Sequence, residues 1–266
     1  VVAAGMKTAL VTGATDGIGR ATARALAARG LRVLVHGRTA EKAAAAAGEI
    51  PGATPVAGDL ARMAEVVALA RAVAREAPAL DVLINNAGVI EPARRITPDG
   101  FETTMAVNHL AHFLLTHHLL DSLRAAPAGR VVTVASGLHA GGVAPDDFVR
   151  AQGYSGQSAY AASKLANVLF ANALARRLAG STVTSNSLHP GVIATKLLRA
   201  GFGGGGAPVE RGATTSLYVA LAPELAGVTG RYFVDAREAT PSRDARDPAL
   251  AERLWTASER ALRAFL

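Results

Sequence analysis

Short apolar runs recur along this chain, and most are followed by a stretch long enough for a helix; that rhythm constrains the fold more than any other feature. The runs are Thr8–Val11, Arg32–Val35, Thr54–Ala57, Val82–Ile84, Arg130–Val134, Thr182–Ser187 and Arg231–Val234. They lack polar alternation, so each needs apolar cover on both faces, which predicts parallel strands joined by right-handed helical crossovers. The intervening helices are expected at Gly17–Arg29, Ala40–Ala47, Met63–Glu76, Gly100–Leu123, Ser158–Leu178, Glu210–Ala222 and Pro248–Ala264, with Asp99 as a cap for the fourth and Pro248 in the first turn of the last. An α/β architecture with helices on both sheet faces follows.

At 266 residues the chain suits one large α/β domain, and no Pro/Gly/Ser linker interrupts it before residue 190, so residues 1–266 are expected to form a single domain. Gly191–Val209 differs, with Gly201 and Gly203–Gly206 and few core-forming residues; it is either a surface loop or a mobile lid over a ligand. Hydrophobic residues make up 50% and charged ones 18%, which excludes disorder. The net charge of +7 is scattered, without a basic block, so small anionic ligands are expected and nucleic acid is not. No cysteine is present, which excludes disulfide and thiolate chemistry. The first apolar run, Thr8–Val11, is too short for a signal-peptide core or a membrane span, so a cytoplasmic protein without membrane partners is expected.

The first strand runs into Thr12-Gly13-Ala14-Thr15-Asp16-Gly17-Ile18-Gly19 and then a periodic helix. Gly13 permits a tight turn, Gly17 a close approach of backbone to phosphates, and Gly19 the packing of helix on strand, leaving helix N-terminal amides to face a pyrophosphate. The second strand ends at His36-Gly37-Arg38 without an acidic residue for a ribose hydroxyl pair. Arg38 is thus available for a 2′-phosphate, which favours NADP over NAD, although it could also lie idle in solvent. Asp59-Leu60, after the third strand, suits either the adenine amine or a simple turn. The fourth strand ends in Asn85-Asn86-Ala87-Gly88, whose small residues let a flat cofactor pass over the sheet edge.

Tyr160 and Lys164 stand four apart in a helical segment, hence on one face. A phenol is a poor base near its ordinary pKa of about 10, and an adjacent ammonium favours the phenolate. Ser136 falls at the end of the fifth strand, and Asn108 lies inside the long fourth helix, where a buried amide needs partners. His109, His112, His117, His118 and His139 lack an acidic partner for a metal ion, and none is expected.

Together, Thr12-Gly13, Gly17-Ile18-Gly19, Asn85-Asn86-Ala87-Gly88, Asn108, Ser136 and Tyr160-x-x-x-Lys164 resemble the short-chain dehydrogenase/reductase family over nearly the whole chain. The resemblance implies a doubly wound Rossmann fold with a seven-stranded parallel sheet. It also implies a catalytic set in which Tyr160 is acid or base, Ser136 binds the substrate oxygen, Lys164 lowers the tyrosine pKa and binds nicotinamide ribose, and Asn108 anchors a water. Ser163-Lys164-Leu165-Ala166-Asn167, the acidic insert at Asp146-Asp147-Phe148 and His189-Pro190-Gly191-Val192-x-x-Thr195 are similar to its retinol-dehydrogenase-like branch, with WW-domain-oxidoreductase and protochlorophyllide-reductase relatives. By that likeness Pro190 and Gly191 line the nicotinamide face, Ile193 and Thr195 its carboxamide, and homodimers or homotetramers form through long helices. The expected activity is NADP(H)-dependent interconversion of a carbonyl compound and an alcohol. Leu138, Phe148, Leu197, Leu198 and Phe202, in the stretches Gly137–Gly153 and Gly191–Val209, suggest an apolar substrate. The rivals are an NAD-linked alcohol dehydrogenase and a non-enzymatic dinucleotide sensor, against which the presence of Tyr160 and Lys164 counts.

Overall fold

The computed structural model describes residues 5–150 and 152–266. Eight strands form one sheet: β1 Thr8–Val11, β2 Arg32–Gly37, β3 Thr54–Ala57, β4 Val82–Asn85, β5 Arg130–Val134, β6 Thr184–His189, β7 Tyr232–Val234 and β8 Arg237–Ala239, in the order β3-β2-β1-β4-β5-β6-β7-β8. Alternate strand residues feed two cores, because successive side chains point to opposite faces. Leu10, Leu83 and Val131 face one core with Met63, Leu69, Phe113 and Leu169. Ala9, Val11, Ile84 and Val132 face the other with Leu26, Ala47 and Val219. The first core is covered by α3 Met63–Glu76, α5 Ala111–Ala125, α6 Gly156–Arg177 and α9 Pro248–Leu262, the second by α1 Gly17–Ala27, α2 Ala40–Gly48 and α8 Val209–Leu221. Two short helices, α4 Thr103–Met105 and α7 Lys196–Phe202, complete the set.

The sheet is not the purely parallel, seven-stranded one expected. β1 to β7 are parallel, but β8 pairs antiparallel with β7, Tyr232 opposite Ala239 and Val234 opposite Arg237. The turn between them places Asp235 and Ala236 at φ +48° and +56°, a left-handed pair that non-glycine residues seldom adopt, and Thr215 Oγ1 accepts the Ala236 N–H at 3.2 Å. Without an Asn-Gly or Asp-Gly signal, and with the polar edge residues Arg237 and Glu238, nothing in the local pattern marks a hairpin.

Other boundaries move for identifiable reasons. Glu102, fully buried, caps α4 by accepting from the Thr104 and Met105 amides at 2.8 and 2.9 Å, whereas Asp99 accepts from the Met63 amide at 2.8 Å and so serves α3. The expected Gly100–Leu123 helix is divided by a π-helical turn, Ala106–Leu110, which carries Asn108. β6 starts later than expected because Ser181 Oγ accepts the Val183 N–H at 3.2 Å, turning the chain before the ladder begins at Thr184. Within Gly191–Val209, Thr195 caps α7 through the Leu198 amide at 3.1 Å and Gly203 ends it at φ +89°, so this stretch holds a helix rather than loop alone.

α9 lies over α6. Trp255 stacks on Phe170 with ring centroids 6.0 Å apart, contacts Phe113 at 4.6 Å, and receives the Arg177 guanidinium at 4.1 Å. Beneath it His109 Nε2 meets Ser258 Oγ at 2.9 Å. Burial pushes His109 and His112 down to about 3, so both stay neutral in the folded protein. Unfolded, each titrates near its ordinary 6.5; between these values the unfolded chain binds more protons, and stability must fall as pH falls. Chemical denaturation at about pH 7 and about pH 5 should show the lower value at the acid pH, with up to about two protons taken up on unfolding from this pair. Equal stability at the two values would contradict the burial of neutral rings.

Candidate active site

β1 and β4 lie side by side, but the chain leaves them toward opposite halves of the sheet, and this divergence opens a crevice at their carboxyl ends. Gly13 takes φ +62°, and a methyl added there would come within 2.9 Å of the Ala87 backbone. At Gly19 an added methyl would sit 2.2 Å from the Gly13 carbonyl oxygen, so only glycine lets α1 start this close to the turn. Asp16 caps α1, accepting from the Gly17 amide at 2.8 Å, and its carboxylate meets Lys196 Nζ at 2.7 Å. That ammonium, first among the causes, holds the Asp16 carboxyl below the usual carboxylate range.

The crevice continues into a cleft of about 950 Å³. Every residue expected to hold a dinucleotide, from Gly13 to Thr195, lines it, as do Ser136, Tyr160 and Lys164; Asn108 does not. Arg38 reaches the cleft together with Lys42 from the first turn of α2. Asp59 Oδ1 accepts from the Ala61 amide at 2.9 Å, so this carboxylate makes a turn while also lining the cleft.

Three members of the expected catalytic set meet on one wall. The phenol of Tyr160, 7% exposed, is pushed up to about 12 by desolvation, and the neighbouring Ser136 hydroxyl draws it part of the way back. Ser136 Oγ accepts from the Leu138 amide at 3.1 Å. Lys164, only 3% exposed, donates from Nζ to the Val134 carbonyl at 2.9 Å, lies 5.6 Å from the Tyr160 ring centroid, and is brought down to about 8 by burial. Among these side chains burial is the larger influence on the phenol and raises it, so in this arrangement Tyr160 is held as an acid. Asn108 stands behind this wall, with Oδ1 accepting from the Val89 amide at 2.8 Å and Nδ2 donating to the Val89 carbonyl and Ser163 Oγ at 3.0 and 2.9 Å.

The far end of the cleft is apolar, with Leu138 and Val192 51% and 63% exposed and the Phe202 ring 5.8 Å from that of Tyr160. Phe148, expected here, is buried in the core against His109, and Ala151, in the same expected stretch, lies outside the described residues. His36 was missed: its Nδ1 accepts the Gly13 N–H at 3.0 Å and its Nε2 donates to the Gly58 carbonyl at 2.9 Å, tying the glycine turn to the end of β3. Its only sequence signal is a polar residue in an otherwise apolar strand end.

A family model described as "short chain dehydrogenase" matches residues 7–202. The chain belongs to the short-chain dehydrogenase family. Human "Retinol dehydrogenase 14" is 41% identical over 287 residues, covering 95% of this chain and 85% of its own, which supports the retinol-dehydrogenase-like branch. An uncharacterized protein from Mycobacterium Paratuberculosis has a crystal structure with a TM-score of 0.81, 34% identity and coverage of 97% and 93% of the two chains. A gluconate 5-dehydrogenase from Burkholderia cenocepacia, in complex with NADP and tartrate, shares the fold at a TM-score of 0.71 with 25% identity over 86% of this chain and 94% of that one. Like other short-chain dehydrogenases, this protein is an NAD(P)-dependent oxidoreductase acting on a carbonyl or alcohol substrate. Among the described residues no helix is long and apolar enough to cross a membrane, and no group of three or more His, Cys, Asp or Glu could hold a metal ion.

Gly19→Ala forces the 2.2 Å contact at the heart of the short-chain dehydrogenase turn. It is expected to cost about 1–3 kcal/mol of stability and to weaken dinucleotide binding. In Gly48→Ala the added methyl meets nothing within 4 Å, and this control should be neutral or gain up to about 1 kcal/mol. Equal behaviour of the two in urea melts and NADPH titrations would count against the close-packing role of Gly19.

Proposed function

We propose that this protein is an NADP(H)-dependent reductase of apolar ketones or aldehydes, able to run in reverse on secondary alcohols, with Tyr160, Ser136, Lys164 and Asn108 as its working set. The observation that carries the reading is a phenol and a hydroxyl sharing one wall of a cleft whose far end, at Leu138, Val192 and Phe202, is apolar. The residues present fit a dinucleotide: glycines that any Cβ would disrupt, the N-terminal amides of α1 for a pyrophosphate, and Pro190, Gly191, Ile193 and Thr195 along the opposite wall. Arg38 and Lys42 at the end of β2, where no carboxylate stands, favour the 2′-phosphorylated form.

A dinucleotide held by these residues would supply the hydride for the carbonyl carbon. Tyr160 donates its proton to the carbonyl oxygen, for which a phenol held up at about 12 by burial is in the right state throughout the neutral range. The Ser136 hydroxyl gives that oxygen a second hydrogen bond, an interaction worth about 2.7–4 kcal/mol where a comparable donor has been removed. Lys164 presents its ammonium beneath the phenol and steadies the phenolate as the proton leaves. Asn108 fixes Val89 and Ser163, and through them the floor of the cleft and the turn of α6 below Tyr160. Likeness to a protein called retinol dehydrogenase agrees with an apolar alcohol or aldehyde. A homodimer or homotetramer in the cytoplasm belongs to the same reading, its contacts directed away from the face of α6 that α9 already covers.

Tyr160→Phe is expected to lower turnover at least about a hundredfold while NADPH affinity stays nearly intact; unchanged turnover of a verified substrate would refute the acid role. Arg38→Glu should weaken NADPH far more than NADH in fluorescence titrations; equal losses for the two cofactors would remove Arg38 from the 2′-phosphate.

A further inference from the structure

Ser136 stands just beyond β5. The last ladder bond on this side is from the Ala135 amide to the Leu188 carbonyl at 2.8 Å, and the Ser136 carbonyl lies beyond the end of that ladder. Two side chains from outside the cleft take it instead. The Tyr232 hydroxyl, from β7, donates to it at 3.0 Å, and His139 Nδ1 lies 2.6 Å from it. His139 is itself held: the Ser242 amide donates to Nε2 at 2.9 Å and Ser242 Oγ donates to the His139 carbonyl at 2.8 Å. An amide only donates and a carbonyl only accepts, so the tautomer is fixed: Nε2 carries the lone pair and Nδ1 the hydrogen that goes to Ser136. His139 and Tyr232 are 6% and 5% exposed, their rings are 4.9 Å apart, and neither lines the cleft. Ser242 reaches His139 only because the chain doubles back through the β7–β8 hairpin.

We propose that Tyr232 and His139 are positioning residues for Ser136, clamping its carbonyl from behind so that its hydroxyl faces the reacting oxygen. The claim rests on the role given to Ser136 above. With the peptide plane after Ser136 held by two donors and one lone pair of Ser136 Oγ taken by the Leu138 amide, the hydroxyl is fixed in place on the wall it shares with the phenol. Such a device costs nothing during the reaction because it is set before substrate arrives.

The test is a set of kinetic cycles with octanal and NADPH, joined to an NMR readout that needs no substrate. Tyr232→Phe removes one hydroxyl from an unchanged ring. His139→Leu removes the other donor, and His139→Asn returns an amide hydrogen near the place of Nδ1. Tyr232→Phe and His139→Leu should each lower kcat roughly five- to tenfold, a part of the hundredfold that a misplacement of about 1 Å can cost. KM and the NADPH Kd should stay within about twofold, and His139→Asn should recover most of the loss. In a Ser136→Ala background the same changes should do almost nothing further. In protein carrying 13Cζ-tyrosine, Tyr232→Phe should move the Tyr160 signal in the parent chain and leave it in place in Ser136→Ala. An undiminished loss in the Ser136→Ala background, a Tyr160 signal that ignores Tyr232→Phe, or no rescue by His139→Asn would overturn the clamp. If Ser136→Ala itself leaves both turnover and the Tyr160 signal unchanged, the role of Ser136 fails and the clamp with it; if only the clamp variants are silent, that role stands.

Discussion

The structure turns on one threonine. Thr12 Oγ1 accepts the amides of Asn86 and Ala87 at 2.8 and 3.0 Å, while the Asn86 side chain donates back to the Thr12 carbonyl at 2.8 Å. These bonds hold the ends of β1 and β4 together where the chain would otherwise splay. Of the two acceptors for its own hydrogen, His112 Nε2 at 2.9 Å is nearer than the Ile84 carbonyl at 3.3 Å. His112 Nδ1 donates to the Asn108 carbonyl at 3.0 Å, so a neutral, fully buried ring joins the glycine turn to the π-helical turn behind the reacting wall. A buried network is worth its desolvation only when every member is satisfied, and here each named group has a partner. Cleft and reacting wall are consequently one rigid unit.

Burial supplies the chemistry of that unit. The same desolvation lifts the Tyr160 phenol and lowers the Lys164 ammonium, because burial disfavours the charged form of each. The protein alone thus presents an acid, which suits reduction of a carbonyl. Running in reverse needs extra positive charge near the phenol to make it a base, and a bound oxidised nicotinamide carries such charge.

Much of this was legible in the residues, and the failures share a cause. The seven parallel strands, the glycine turn, Arg38 and the Tyr160–Lys164 pair announce themselves through local patterns: apolar runs, fixed glycine spacing, an i,i+4 step. What could not be read depends on contacts distant in sequence. β8 is a three-residue polar edge strand whose turn is braced by Thr215, and Asp99 caps a helix that begins 36 residues earlier. Phe148 was assigned to the cleft from its neighbours in sequence, but the aromatic cluster under α9 takes it into the core. His36, His112, His139 and Tyr232 look like scattered polar residues until the sheet brings their partners to them. Spacing likewise reveals the ammonium but not how deeply the phenol is buried.

The most direct measurement is a crystal structure grown with NADP. The pyrophosphate is expected on the amides that open α1, the 2′-phosphate between Arg38 and Lys42, and the nicotinamide beside the Tyr160 hydroxyl with Ser136 across from it. Phosphates bound away from the glycine turn, or a Tyr160 hydroxyl directed away from the nicotinamide, would contradict the assignment.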